Sequence, residues 1–378
     1  MNFTLHITDH CNMDCKYCYQ SRSPRNMTIE TALAALDLSV RSKGDMLIPS
    51  GCMHTGICFF GGEPLLRKDL IEAVIEHAEK IHEKNGHEFK FLMVTNGTLM
   101  DDDFLAYAKQ HHIRIGMSHD GLMQDPVRKM ADGASSFDIL EDRIDALLRM
   151  LPDSTAMLTI HPEFADRFAA SVKWLFDRGF RKINTVPAVG DKVNWSEKAL
   201  QVLENEYSQL SDWYANAVST GQAFMFPLFD NKINAHINCG MGINQTCRFG
   251  QKQLSVAPDG RIYPCIQFLD LEAYWMGDVF SEIVPEKVAE VMRLGAKEPE
   301  DCQSCALKLR CKYNCCCQNK ISTGASDQIS GLTCAFEKMA IRYADQAANK
   351  LAQTQDKQFV RRFYGSVFDC ENDPMLVV

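Results

Sequence analysis

The chain has no run of the roughly 18 consecutive apolar residues that a membrane-spanning helix needs. Its opening Met1-Asn2-Phe3-Thr4 leads into a strand-like stretch without the basic patch, apolar core and small-residue cleavage site of a secretory signal. A dense Lys/Arg stripe is also missing, since 40 basic side chains face 49 acidic ones and the formal charge is −9. That balance argues against nucleic acid as partner, because phosphate contacts need a positive footprint. Cys370 stands too far from the C-terminal end for prenylation. Together these absences predict a soluble, cytoplasmic protein with neither a membrane nor a nucleic-acid partner.

Cysteine is what the sequence has in excess, with 16 in 378 residues. A chain of this length can bury an ordinary core without disulfide staples, and thiols kept reduced favour metal ligation. Cys11, Cys15 and Cys18 form a CxxxCxxC directly after the apolar stretch 3–8. Three thiolates on one loop could hold iron, zinc or a disulfide. A closed zinc site wants tetrahedral ligands, usually from paired CxxC elements. An iron–sulfur cluster takes four ligands, so either a fourth cysteine comes from elsewhere or one iron stays open to a ligand that is not protein.

Strand-like stretches at 3–8, 57–60, 89–95, 113–117, 157–160 and 182–186 alternate with helix-like ones. The helices are expected at 28–43, 67–84, 101–110, from a cap at Ser135 or Ser136 to Met150, and at 163–178. Such alternation predicts an α/β fold with a parallel sheet, and chemistry at the C-terminal ends of the strands. Gly61-Gly62-Glu63-Pro64 follows the second strand, Thr95-Asn96-Gly97 the third, and Ser118-His119-Asp120-Gly121 the fourth, with Asp125 and Arg128 in a DxxR beyond. Taken singly, a Gly-Gly-x-Pro is a turn with a helix entry, and the other two are turns. The alternation stops near 187–225, where 196–219 reads as a bridging helix.

A second array begins at Cys247, which twelve residues, Gly260 and four more residues separate from Cys265. Cys302, Cys305, Cys311 and Cys315 follow as CxxCx5CxxxC, and then Cys334. Spacing alone leaves a zinc knuckle open for the CxxC part.

The first cysteine loop resembles the radical S-adenosylmethionine (radical SAM) superfamily, whose three cysteines hold a 4Fe-4S cluster with one iron open to S-adenosylmethionine. The resemblance implies cleavage of that cofactor to a 5′-deoxyadenosyl radical that abstracts a substrate hydrogen. Tyr17 matches the aromatic residue near adenine. The GGEP, SxDG and DxxR elements resemble the family's own, which implies cofactor contacts from Gly61, Gly62, Glu63, Ser118, Asp120 and Arg128, with Glu63 receiving the amino group. His119 reads as a local variation. The implied fold is a partial (β/α)6 TIM-like barrel.

The seven later cysteines resemble the SPASM extension, which implies two auxiliary 4Fe-4S clusters and three in all. Cys302, Cys305, Cys311 and Cys334 would hold the outer one, and Cys247, Cys265 and Cys315 the inner one. Cys239, eight residues before Cys247, is expected as the inner cluster's fourth ligand, the alternative being an ordinary buried thiol. Cys316 and Cys317 read as cluster-flanking thiols, and Cys52, Cys58 and Cys370 as ordinary ones. The expected division is a barrel at 1–190, a helical bridge at 191–235, a SPASM domain at 236–340 and a helical tail at 341–378 that packs on the barrel.

SPASM enzymes mostly modify peptides or proteins. Sulfatase maturases carry an Asp directly after the cysteine equivalent to Cys265, where this chain has Ile266. Many peptide maturases begin with a winged-helix leader-binding domain, whereas here the first strand is expected from Phe3, so a leader is expected to bind the barrel, the bridge, the C-terminal region or a separate protein. The expected function is therefore a peptide maturase that installs a thioether or carbon–carbon crosslink in a ribosomally made precursor peptide, supplied with electrons by a flavodoxin or ferredoxin. The alternatives are sulfatase-maturase-like oxidation of a Ser or Cys in a protein, and a non-enzymatic iron–sulfur electron carrier.

Overall fold

A computed structural model describes residues 2–20, 22–41, 54–222, 224–240, 249–281 and 283–368. Its strands are β1 (Asn2–His6), β2 (Met13–Cys15), β3 (His54–Phe60), β4 (Glu88–Thr95), β5 (Arg114–Ser118), β6 (Arg128–Met130), β7 (Thr155–Ile160), β8 (Lys182–Pro187), β9 (Gln253–Val256), β10 (Arg261–Tyr263) and β11 (Gly277–Asp278). The chain forms two compact units. The first comprises Met1–His119, Gln124–Thr155 and Cys247–Lys297, and the second Asp120–Met123, Ala156–Thr246 and Glu298–Val378.

In the first unit the strands run in the order β11-β10-β9-β1-β3-β4-β5. β1, β3, β4 and β5 are parallel, β9 joins the free edge of β1 in parallel, and β10 and β11 turn back antiparallel. The architecture is α/β with a mostly parallel sheet, as the alternation predicts. Side chains alternate faces along a strand, so register decides what each face carries. Phe3, Leu5, Ile57, Phe59, Met93, Ile115, Leu254 and Val256 share one face, and all are buried. Apolar side chains of that kind want a helical cover. The helix Lys68–Asn85 packs against β4 and against Ile29–Arg41, burying Leu70, Ile71 and Val74. Thr4, His6, Cys58, Phe60, Ser255 and Tyr263 stand on the opposite, more polar face.

Local chemistry fixes the helix starts. Asp101 accepts the Phe104 N–H at 2.8 Å and Ser135 accepts the Asp138 N–H at 3.1 Å, so Ser135 is the cap of Ser136–Met150. An antiparallel pair of three-residue strands, β2 and β6, lies outside what periodicity could reveal.

The second unit holds β7 and β8 with the helices Phe168–Asp177, Glu197–Ser219, Pro227–Ile237, Gly331–Gln353 and Lys357–Phe368. The helix expected over 163–178 is broken: Pro162–Arg167 is a 3-10 stretch with Phe164 at φ −129°, and the α-helix starts only at Phe168. The tail packs on the bridging helices of its own unit, where the Ser211 hydroxyl donates to the Tyr343 carbonyl at 2.8 Å and Arg362 pairs with buried Asp230 at 2.8 Å. It is two helices rather than one because Gln355 takes a left-handed φ of +49°. Among the described residues no helix is long and apolar enough to cross a membrane.

Candidate active site

The first cysteine loop is held along β6 and its flanks. β2 carries Cys15 and pairs it with Arg128 on β6, the Lys16 N–H donates to the Val127 carbonyl at 2.9 Å, and the Ala131 N–H to the Asn12 carbonyl at 2.9 Å. Cys11, Cys15 and Cys18 are half-buried and stand outside any disulfide. Burial pushes the Cys11 thiol up, and the neighbouring charges of Glu63 and Cys18 act in the same direction. The Met13 N–H at 3.5 Å and the Asn96 side-chain amide at 3.9 Å both point at its sulfur. Two donors aimed at the sulfur suit a thiolate, the form in which cysteine ligates a metal.

Gly61 and Gly62 allow the loop after β3 to reach this loop. The Gly62 N–H donates to the Thr8 carbonyl at 2.7 Å, and a Cβ on Gly62 would stand 2.0 Å from the His10 carbonyl oxygen. Gly61 adds a φ of +145°, which side chains with a Cβ rarely adopt.

Glu63 is fully buried, and its carboxylate is occupied by the protein: it accepts the Leu65 N–H at 3.0 Å, the Thr95 hydroxyl at 2.7 Å and the Asn96 N–H at 2.7 Å. Burial raises its pKa, opposed by these three donors and by the charge of Arg128. Tyr17 and Arg128 are brought together, Arg128 Nη1 donating to the phenol oxygen at 2.6 Å. Ser118 closes β5. In the second unit, fully buried Asp120 accepts the Thr159 N–H at 2.8 Å. Asp125 of the DxxR is spent on helix capping, accepting the Ser136 and Phe137 N–H groups at 2.9 Å. His119 is buried with its ring 5.9 Å from that of Phe137.

Sequence reasoning missed Asn96. The amide that points at Cys11 also donates to Asn12 at 2.8 Å, and Asn12 donates to Thr98 at 2.8 Å. Its only signal was the Thr95-Asn96-Gly97 turn after a strand. Also missed was the chain in which His6 Nε2 lies 2.8 Å from buried Asp9, Asp9 takes Arg25 at 2.8 Å, and Arg25 clamps Asp270 at 2.6 and 2.9 Å.

In the second unit, Cys302, Cys305 and Cys334 lie close enough that the last two, after burial, push the Cys302 thiol up. Cys311 is raised by burial and by Glu337, which also holds buried Lys232 at 2.5 Å and the Lys312 N–H at 2.7 Å. The Cys315 thiol is held below its ordinary value, chiefly by a hydrogen bond from Cys317. Cys239 is exposed and left-handed, at φ +54°. Cys265 is half-buried in the first unit. Burial pushes Cys58 up to about 12, in keeping with an ordinary thiol. Cys52, Cys247 and Cys370 lie outside the described residues.

Residues 5–175 match the Radical SAM superfamily. That stretch is a radical SAM domain. A cysteine-type anaerobic sulfatase-maturating enzyme of Clostridium perfringens is 23% identical over 329 residues, covering 81% of this chain and 85% of that protein. A solved structure of anSMEcpe with bound AdoMet and Cp18Cys peptide is similar with a TM-score of 0.77 at 20% identity, over 94% of this chain and 100% of that one. Streptococcus suis SuiB bound to precursor peptide SuiA is similar with a TM-score of 0.60 at 14% identity, over 88% of this chain and 75% of that one. At these identities the likeness is one of fold. The α/β fold with its mostly parallel sheet is thus the one that such structures share.

Proposed function

We propose that this radical SAM enzyme is a peptide maturase that takes a substrate residue to a product two hydrogens lighter, closing a thioether or carbon–carbon crosslink. The supporting observation is similarity along 81% of the chain to a sulfatase-maturating enzyme, combined with Ile266 where sulfatase maturases carry Asp. Cys11, Cys15 and Cys18 hold the radical SAM cluster. With S-adenosylmethionine bound, that cluster supplies the 5′-deoxyadenosyl radical. Asn96 and the Met13 N–H steady the Cys11 sulfur. Tyr17, Gly61, Gly62, Ser118, Asp120 and Arg128 shape the cofactor's seat, and Glu63 braces it.

Two auxiliary clusters complete the reading. Cys302, Cys305, Cys311 and Cys334 hold the outer one, and Cys239, Cys247, Cys265 and Cys315 the inner one. A flavodoxin or ferredoxin supplies electrons. Oxidation of a Ser or Cys side chain to an aldehyde is the second reading, favoured by the cysteine-type relative and weakened by the missing Asp.

Anaerobic coexpression with short reading frames encoded beside the gene, followed by fragmentation mass spectrometry, tests the proposal. A peptide lighter by two hydrogens, with fragmentation blocked across a ring, is expected. A hydrazide-reactive aldehyde in place of the ring would transfer the function to the second reading.

A further inference from the structure

On the polar face of the first unit's sheet, three buried atoms have no hydrogen-bond partner among the described residues: His6 Nδ1 on β1, Ser255 Oγ on β9 and Tyr263 Oη on β10. Their residues are 4%, 0% and 0% exposed. Register places them on one face of three neighbouring strands. Thr4 opposes Ser255, Ser255 opposes Tyr263, and His6 is the next residue of that face along β1. A buried polar group left dry costs about 1–3 kcal/mol, and native proteins leave few of them. Three on adjacent strands mark a place where something polar belongs.

What belongs there follows from the hydrogen-bond roles. His6 Nε2 faces the Asp9 carboxylate at 2.8 Å, and Asp9 is itself anchored by Ser23 at 2.5 Å and Arg25 at 2.8 Å. A carboxylate accepts, so the imidazole proton sits on Nε2, and Nδ1 offers a lone pair. Burial lowers the pKa of His6, outweighing the opposing pull of Asp9. Ser255 and Tyr263 each contribute a hydroxyl that can donate. One acceptor and two donors on one sheet face are the complement of an amide, whose N–H seeks the ring nitrogen and whose carbonyl seeks the hydroxyls.

We propose that His6, Ser255 and Tyr263 form a recess that seats a backbone amide of the peptide substrate, with Asp9 and Arg25 as positioning residues that fix the imidazole. The proposal rests on the reading of the substrate as a peptide. The recess itself is independent of which bond the enzyme makes.

Two measurements on the reconstituted holoenzyme test it. Anaerobic crystals soaked in N-methylacetamide, a bare peptide unit, should show the amide against His6 Nδ1 and Tyr263 Oη, and should lose it in a Ser255→Ala, Tyr263→Phe double variant. Ordered waters left undisplaced at a saturating soak would overturn the recess, whatever the substrate is. For the peptide that the enzyme modifies, Tyr263→Phe and His6→Leu should raise KM about 5- to 100-fold, with iron content and S-adenosylmethionine affinity held. His6→Gln, whose amide oxygen can accept, should recover part of that loss. Seating of N-methylacetamide without any change in KM would overturn the role in substrate binding.

Discussion

Glu63, on the loop after β3, accepts the backbone N–H of Asn96, on the loop after β4, at 2.7 Å. The same Asn96 turns its side-chain amide toward Cys11. One buried carboxylate therefore ties two strand-end loops to the loop that carries the first cysteines, and the GGEP element acts as a brace in addition to any contact with the cofactor.

Glu63→Gln replaces one acceptor by a donor that would face the Asn96 N–H or the Thr95 hydroxyl. The expected cost is about 2–3 kcal/mol of unfolding free energy, since hydrogen bonds to a charged group are at stake, together with weaker S-adenosylmethionine binding and largely retained iron. Denaturant unfolding and calorimetric titration measure the two losses. Unchanged stability would show that the brace is dispensable, and unchanged affinity would take Glu63 out of the cofactor's seat.

The parts of the site legible in the sequence were those carried by short covalent spacing. CxxxCxxC after the first strand, the Gly-Gly pair and the helix caps all exert their effect within a few residues, so they can be read without knowing the fold. Asn96 could not be read that way, because its meaning depends on Cys11, 85 residues earlier. The β2–β6 pair escaped for a related reason: three-residue strands joined across more than a hundred residues leave no periodic trace. Asp125 shows the converse, a motif residue whose carboxylate is used in capping a helix.

Cys11→Ala, Cys15→Ala or Cys18→Ala should each abolish formation of 5′-deoxyadenosine while the auxiliary iron stays largely in place, because only this loop is assigned an open iron. Iron assay and product chromatography suffice. Cleavage that persists in all three variants would move the radical chemistry elsewhere.

The Tyr17 hydroxyl receives Arg128 Nη1 at 2.6 Å, so Tyr17→Phe removes one acceptor from the guanidinium. S-adenosylmethionine affinity should fall by about tenfold, the equivalent of one such bond. Arg128→Lys should cause a similar loss, for an ammonium on a different stem does not reproduce the guanidinium N–H aimed at the phenol oxygen. Equal affinities across the series would reduce the pair to a structural contact.

Asp270 supplies a pH dependence. Its carboxyl is held below the ordinary value chiefly by hydrogen bonds from Arg25. A depressed folded-state pKa contributes stability that is present above the unfolded pKa and lost as pH falls through the folded one. Urea unfolding of the wild type should therefore weaken more steeply below about pH 4 than that of Asp270→Asn. Parallel curves would mean that the clamp contributes nothing to stability.

Cys239 brings conformation and ligation into one test. Burial as an ordinary thiol would make it a small apolar residue, yet its side chain is exposed. Its φ of +54° lies where non-glycine residues are uncommon, and a strained backbone persists where the surroundings or a ligand hold it. If Cys239 closes the inner cluster, the three clusters bring on the order of 12 irons, and Cys239→Ala should lower that content or shift the auxiliary spectrum while sparing the radical SAM cluster. Cys239→Gly separates the two causes, because glycine adopts this φ freely but supplies no sulfur. Equal loss in both variants is the signature of a ligand. Loss in the alanine variant with full iron in the glycine variant would make the residue a backbone problem, leaving the fourth coordination position of the inner cluster to a substrate thiolate and favouring the thioether over the carbon–carbon product.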